Sequence, residues 1–176
     1  GRRGRGGSIR VIPCRCAFFA GFYRPGGCSG RGSLVAVDLG LDPGIDLALE
    51  VGLPLVRLAK TLESDAGAFV IACFSDPGLH VVREAVKRPV LGIAECGVLT
   101  ALTMGHRFGV IAILKASIVR HHRIWGAMGV TERLAGERSI DMAVADLADR
   151  ARTLARMIDV GKKLRDDDGA NTIVMG

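Results

Sequence analysis

The stretch Phe69-Val70-Ile71-Ala72-Cys73-Phe74-Ser75-Asp76-Pro77-Gly78-Leu79 decides how the chain folds. A short apolar run ends at a cysteine and passes into Ser-Asp-Pro-Gly. The pattern predicts a buried strand over residues 68–73 and a helix over 77–86, with Ser75 or Asp76 as its cap and Pro77 in its first turn. The Cys73 thiol then lies at the carboxyl edge of a parallel strand and faces a helix N-terminus, where open α/β sheets put their sites. Helix dipole and N–H groups would favour the thiolate, which suits a base or nucleophile, while Asp76 would oppose it. The competing reading is a cysteine that fills a core, and on spacing alone that reading is the stronger one.

Working outward, short aliphatic runs alternate with helical segments past residue 66, which is the sequence form of βα units around a parallel sheet. Strands are expected over 68–73, 89–93, 108–114 and 171–175, apolar on both faces as buried parallel strands are. Helices are expected over 54–62, starting at Pro54, and over 77–86, 96–104, 118–128 and 144–164. In the last, Val144, Leu147, Ala148, Ala151, Leu154, Ala155 and Ile158 recur at three- and four-residue steps and predict the buried stripe. The charge run over 162–168 reads as a solvated helix end. Residues 8–12 and 34–38 are weaker strand candidates, because nine Gly and seven Arg crowd residues 1–32.

The chain has 176 residues, 49% hydrophobic and 24% charged, which excludes collagen, disorder and a disulfide mini-protein. Its formal charge of +6 misleads. Residues 1–37 hold seven Arg, no Lys and no acid, whereas residues 38–176 balance 17 basic against 18 acidic groups. A nucleic-acid or anionic-membrane reading therefore applies to the N-terminal fifth alone. There Arg2, Arg3 and Arg5 lack the aromatic interleaving of an RNA-binding tail, since Phe18, Phe19, Phe22 and Tyr23 come later. The apolar run over 11–22 is interrupted by Arg15 and too short to span a bilayer, so a cytoplasmic protein is expected.

Five cysteines, Cys14, Cys16, Cys28, Cys73 and Cys96, form neither a paired extracellular framework nor a zinc ligand set. His80 reads as a surface residue, and His106 sits in a turn before a strand. His121 and His122 are adjacent, point to different faces of a helix, and so do not easily serve one site. No glycine-rich phosphate loop stands between a strand and a helix, which disfavours nucleotide binding.

A faint internal echo pairs Phe69-Val70-Ile71-Ala72 with Ile173-Val174-Met175-Gly176 at a shift of 104 residues. Position 177 would then stand opposite Cys73.

The stretch over 69–79, with Arg83-Glu84-Ala85, Gly92-Ile93-Ala94-Glu95, the run Arg107-Phe108-Gly109-Val110-Ile111-Ala112-Ile113-Leu114 and RHHRIWGAMGV over 120–130, resembles the hydantoin racemase branch of the aspartate/glutamate racemase superfamily. The likeness covers residues 54–176. It implies an α/β protein of two similar parallel-sheet, flavodoxin-like halves related by pseudo-twofold symmetry, here residues 1–98 and 99–176, with the active site between them. It implies a racemase of amino-acid derivatives such as hydantoin-like rings, without cofactor or metal, acting on a small molecule and assembling as an oligomer. Two cysteines on opposite faces of the α-carbon would work in turn, one taking a proton as thiolate and the other returning one as thiol. Cys73 matches the first, and the Phe74 and Ser75 backbone N–H groups become donors to the substrate's carbonyl or enolate oxygen.

The departures from the family pattern set further expectations. The second cysteine of the pattern follows a strand ending in Gly, and Val174-Met175-Gly176 stops at that point, where the echo also points. A C-terminally truncated second half and impaired activity are expected. The Asn-Pro-Asn-Thr-like substrate loop is replaced by Pro13-Cys14-Arg15-Cys16, and residues 1–50 read as foreign to the fold, disordered or translated from another frame. Cys96 is given no role. The rivals are a single-cysteine decarboxylase or cis-trans isomerase of the same superfamily, and a noncatalytic remnant or basic-tailed nucleic-acid-binding module.

Overall fold

The computed structural model describes residues 33–37 and 47–176. The expected strand over 8–12, the basic segment and Cys14, Cys16 and Cys28 lie outside the described residues. The chain divides into two compact units, the first closing at Ile93 and the second running Ala94–Gly176.

In the first unit, β1 (Ser33–Val37), β2 (Ala66–Ile71) and β3 (Val90–Gly92) form a parallel sheet in the order β1-β2-β3. The middle strand, β2, is the one that leads to Cys73. Helix α1 (Leu47–Leu62) and helix α2 (Leu79–Ala85) cover the sheet. Leu55 and Ala59 of α1 bury against Phe69 and Ile71 of β2 and Leu79 and Val82 of α2, a helical i, i+4 pair meeting a period-2 pair. The expected start of α1 at Pro54 is wrong, because the helix begins at Leu47 and carries Pro54 inside it. Proline there gives up one backbone donor, which Leu55 and Ala59 offset by packing. Gly78 sits against α1, with Leu55 Cδ1 3.1 Å from the place a Cβ would occupy.

In the second unit, β4 (Phe108–Ala112), β5 (Leu134–Ser139) and β6 (Thr172–Met175) form a parallel sheet in the order β5-β4-β6. Every residue of β4 is buried, as a doubly covered parallel strand requires. The expectation of strands apolar and buried on both faces fails for β3, where Leu91 is exposed, and for β6, where Ile173 and Met175 are exposed. Helices α3 (Ile93–Met104), α4 (Ile118–Ala127) and α5 (Arg150–Asp166) accompany this sheet. Trp125 of α4 meets Phe108 edge-to-face at 5.9 Å between ring centroids.

The expected helix over 144–164 is split. Val144–Ala148 is a 3-10 turn, and α5 begins after Asp149, whose side chain accepts from the Arg152 N–H at 3.1 Å. The predicted buried stripe is also displaced. Leu154 and Ile158 are 59% and 50% exposed, while Met157, Val160 and Leu164 pack against Ile111 and Ile140. At 100° per residue, the packed face lies about two-fifths of a turn from the predicted one. Strand β5, with charged Glu137 and Arg138, is an element the apolar patterning did not reveal.

Candidate functional site

Cys73 stands two residues beyond the end of β2, half-buried, and it forms no disulfide. The next residues make two successive tight turns: the Asp76 N–H donates to the Cys73 carbonyl at 3.0 Å, and the Leu79 N–H to the Asp76 carbonyl at 3.2 Å. Ser75 has φ 132°, Asp76 φ 45° and Gly78 φ 74°. For the two non-glycine residues such backbone costs of order 1–3 kcal/mol each and persists where surrounding packing dictates it. The structure thus gathers Cys73, Phe74 and Ser75 into one half-buried turn at the carboxyl edge of the middle strand.

The expected cap is corrected by this geometry. Helix α2 begins at Leu79 instead of Pro77, its cap is Gly78, and no side chain caps it. Helix α2 is also only seven residues long and starts six positions past the thiol, so the dipole argument made from sequence loses its footing.

Asp76 has a different place. Its side chain is 8% exposed, and a Cβ added at Gly92 would fall inside 3.0 Å of the carboxylate carbon and both its oxygens. Gly92, the last residue of β3, pairs with Ile71 of β2. The same segment is tied to β3 once more, by Arg83 Nε donating to the Val90 carbonyl at 2.9 Å.

The second unit holds a buried polar cluster. Glu137 of β5, with its side chain fully buried, accepts from Trp125 Nε1 at 3.1 Å and pairs through Oε1 with Nδ1 of His121. His122 Nε2 stands 4.0 Å from the other oxygen of the same carboxyl. His121 is buried and His122 exposed, so the two point to different faces of α4 as expected, and it is His121 that meets Glu137. His80 is exposed, as expected, and His106 is exposed as well. Arg138 holds Asp168 bidentately, at 2.6 and 2.8 Å, and this hydrogen-bonded pairing keeps the Asp168 carboxyl below the usual aspartate range. Asp168 thus departs from the reading of the 162–168 run as merely solvated. Among the described residues, no group of three His, Cys, Asp or Glu is arranged to hold a metal, and no helix is long and apolar enough to cross a membrane.

The model of one protein family, described as Asp/Glu/Hydantoin racemase, matches residues 45–176. The chain belongs to that family. A hydantoin racemase of Rhizobium meliloti is 36% identical over 140 residues, covering 77% of this chain and 57% of the relative. One from Pseudomonas sp. strain NS671 is 33% identical over 121 residues, covering 68% of this chain and 49% of the relative. Among solved structures, allantoin racemase from Klebsiella pneumoniae superposes with a TM-score of 0.63 at 28% identity, covering 70% of this chain and 50% of the other. The chain thus spans about half the length of the racemases it matches. The family's α/β fold of parallel sheets accords with the two sheets described above.

Glu137, Trp125 and Arg138 are the racemase-family chain's polar partners that sequence reasoning missed as a group. A carboxylate in a segment otherwise spaced as a strand, Leu134-Ala135-Gly136-Glu137-Arg138-Ser139, is the signal that would have prompted a search for a buried partner.

Proposed function

We propose that this chain belongs to a cofactor-independent racemase of amino-acid derivatives with hydantoin-like rings, acting in the cytoplasm as an oligomer, and that Cys73 is one of its acid/base groups. What carries the reading is the seat of Cys73, a half-buried thiol in a tight turn just past the middle strand of a parallel sheet, within a chain of the racemase family.

The Cys73 thiolate removes the proton from the carbon beside the ring carbonyl. The electron pair of that C–H bond passes into the enolate, whose oxygen takes hydrogen bonds from the Phe74 and Ser75 N–H groups. Return of the proton by Cys73 restores the starting enantiomer, and inversion requires an acid on the opposite face. Abstraction and inversion can therefore be read separately. A single enantiomer of a 5-substituted hydantoin is incubated with the protein in D2O, and deuterium at the α-carbon and optical rotation are followed together. Catalysed deuterium incorporation that disappears in Cys73→Ala is expected. Incorporation untouched by that substitution would remove Cys73 from the mechanism.

A further inference from the structure

The turn that carries Cys73 is conformationally costly, with left-handed backbone at Ser75, Asp76 and Gly78, and something must hold it. Two of its sequence-local bonds, Asp76 N–H to the Cys73 carbonyl and Leu79 N–H to the Asp76 carbonyl, are those of ordinary turns and do not select the left-handed form. The unusual contact is long-range. A buried carboxylate fills the space where any residue other than glycine at position 92 would put its Cβ. Gly92 ends β3, and β3 is hydrogen-bonded along β2, the strand that delivers Cys73. One side of the turn is thus anchored by β2 itself and the other by Asp76 on the neighbouring strand.

We propose that Asp76 is a positioning residue for Cys73: its carboxylate, seated in the notch left by Gly92, locks the left-handed turn and thereby aims the thiol. The inference rests on the proposed role of Cys73 for its catalytic consequence, but the lock itself does not. Asparagine has the shape of aspartate and fits the notch. Glutamate keeps the charge but carries one more methylene, and alanine leaves the notch empty. Alanine at position 92 fills the notch from the other side. The substitutions therefore separate fit from charge, and the two sides of the notch should depend on each other.

The test uses the full chain in four single variants, Asp76→Asn, Asp76→Glu, Asp76→Ala and Gly92→Ala, together with the double variant Asp76→Ala/Gly92→Ala. Alkylation of Cys73 by iodoacetamide is timed by peptide mass spectrometry, with Cys96 of the second unit in the same sample as the reference for reagent and conditions. The rate at Cys73 relative to Cys96 is expected to hold in Asp76→Asn and to change by about tenfold in Asp76→Glu, Asp76→Ala and Gly92→Ala. The double variant should change no more than either alanine single, because each removes the same lock. The deuterium exchange described above should fall by about 100-fold in Asp76→Ala and persist in Asp76→Asn, a rescue that a general loss of folding would not give. A relative rate unchanged in Asp76→Ala, additive single effects, or glutamate behaving as wild type while asparagine does not would each overturn the proposal. A variant whose first unit unfolds is recognised by loss of amide-hydrogen protection over β2, and Asp76→Asn against Asp76→Glu then decides. If the alkylation pattern holds while exchange does not depend on Cys73, the lock stands and the catalytic reading falls.

Discussion

Replacing Glu137 by alanine should be among the most damaging single changes in the second unit. The Glu137 carboxyl is fully buried and meets two buried partners, Trp125 Nε1 at 3.1 Å and Nδ1 of His121, itself 3% exposed. Truncation leaves both polar groups in the core without that oxygen. A buried group left unsatisfied costs about 1–3 kcal/mol, so two give about 2–6 kcal/mol, and measured losses on breaking buried pairs centre on about 3–5 kcal/mol. That is a large part of the roughly 5–15 kcal/mol that holds a domain folded. Trp125 is the chain's sole tryptophan, so its fluorescence reports the cluster directly during urea unfolding. With a slope of about 2 kcal/mol per molar urea, the midpoint should fall by about 2 M with the slope unchanged. Glu137→Gln keeps the volume and one acceptor oxygen, and should cost less than half as much. A midpoint shift below about 0.5 M for the alanine variant would refute the claim that the cluster contributes to stability.

Three further outcomes follow from the geometry. The Arg138 guanidinium holds the Asp168 carboxyl below the ordinary aspartate value, so its stabilisation is present above that ordinary value and is lost as pH falls through the lower folded-state value. Asp168→Asn should accordingly flatten the acid limb of a plot of urea midpoint against pH, and an identical acid limb would contradict the pairing. Ile158→Lys should shift stability by no more than about 0.5 kcal/mol, because the side chain is half-exposed, whereas Val160→Lys should prevent the second unit from folding. A larger loss at Ile158 than at Val160 would put the buried face of α5 where the sequence stripe predicts it, and equal effects would contradict the buried face described above. Leu164→Ala, at a fully buried site packed between α5 and β4, should cost about 2–5 kcal/mol in the same urea assay.

What the sequence made legible was local. The run over 69–73 and the turn residues after it place a strand, a thiol and a helix in that order, because each signal lies within a few residues of the structure it specifies. The shift of the α2 start from 77 to 79 was not legible, since Ser75 and Asp76 adopt left-handed backbone only because Gly92, on another strand, makes room for a carboxylate. Strand β5 was hidden for a related reason. Its charges look like loop residues until His121 and Trp125, 16 and 12 positions earlier, and Asp168, 30 positions later, are brought beside them. In α5 the periodic signal is real but ambiguous. Two apolar stripes share the helix, and the sheet against which Met157, Val160 and Leu164 pack decides between them.

Strand β3 runs into α3 without an intervening loop, Gly92 being the last residue of one and Ile93 the first of the other. Boundaries between compact units usually fall in extended linkers, which proteases nick and into which foreign domains can be inserted. Here the boundary after Ile93 lies within the first turn of a helix. A designer wishing to express the units apart must therefore break a helix to do so.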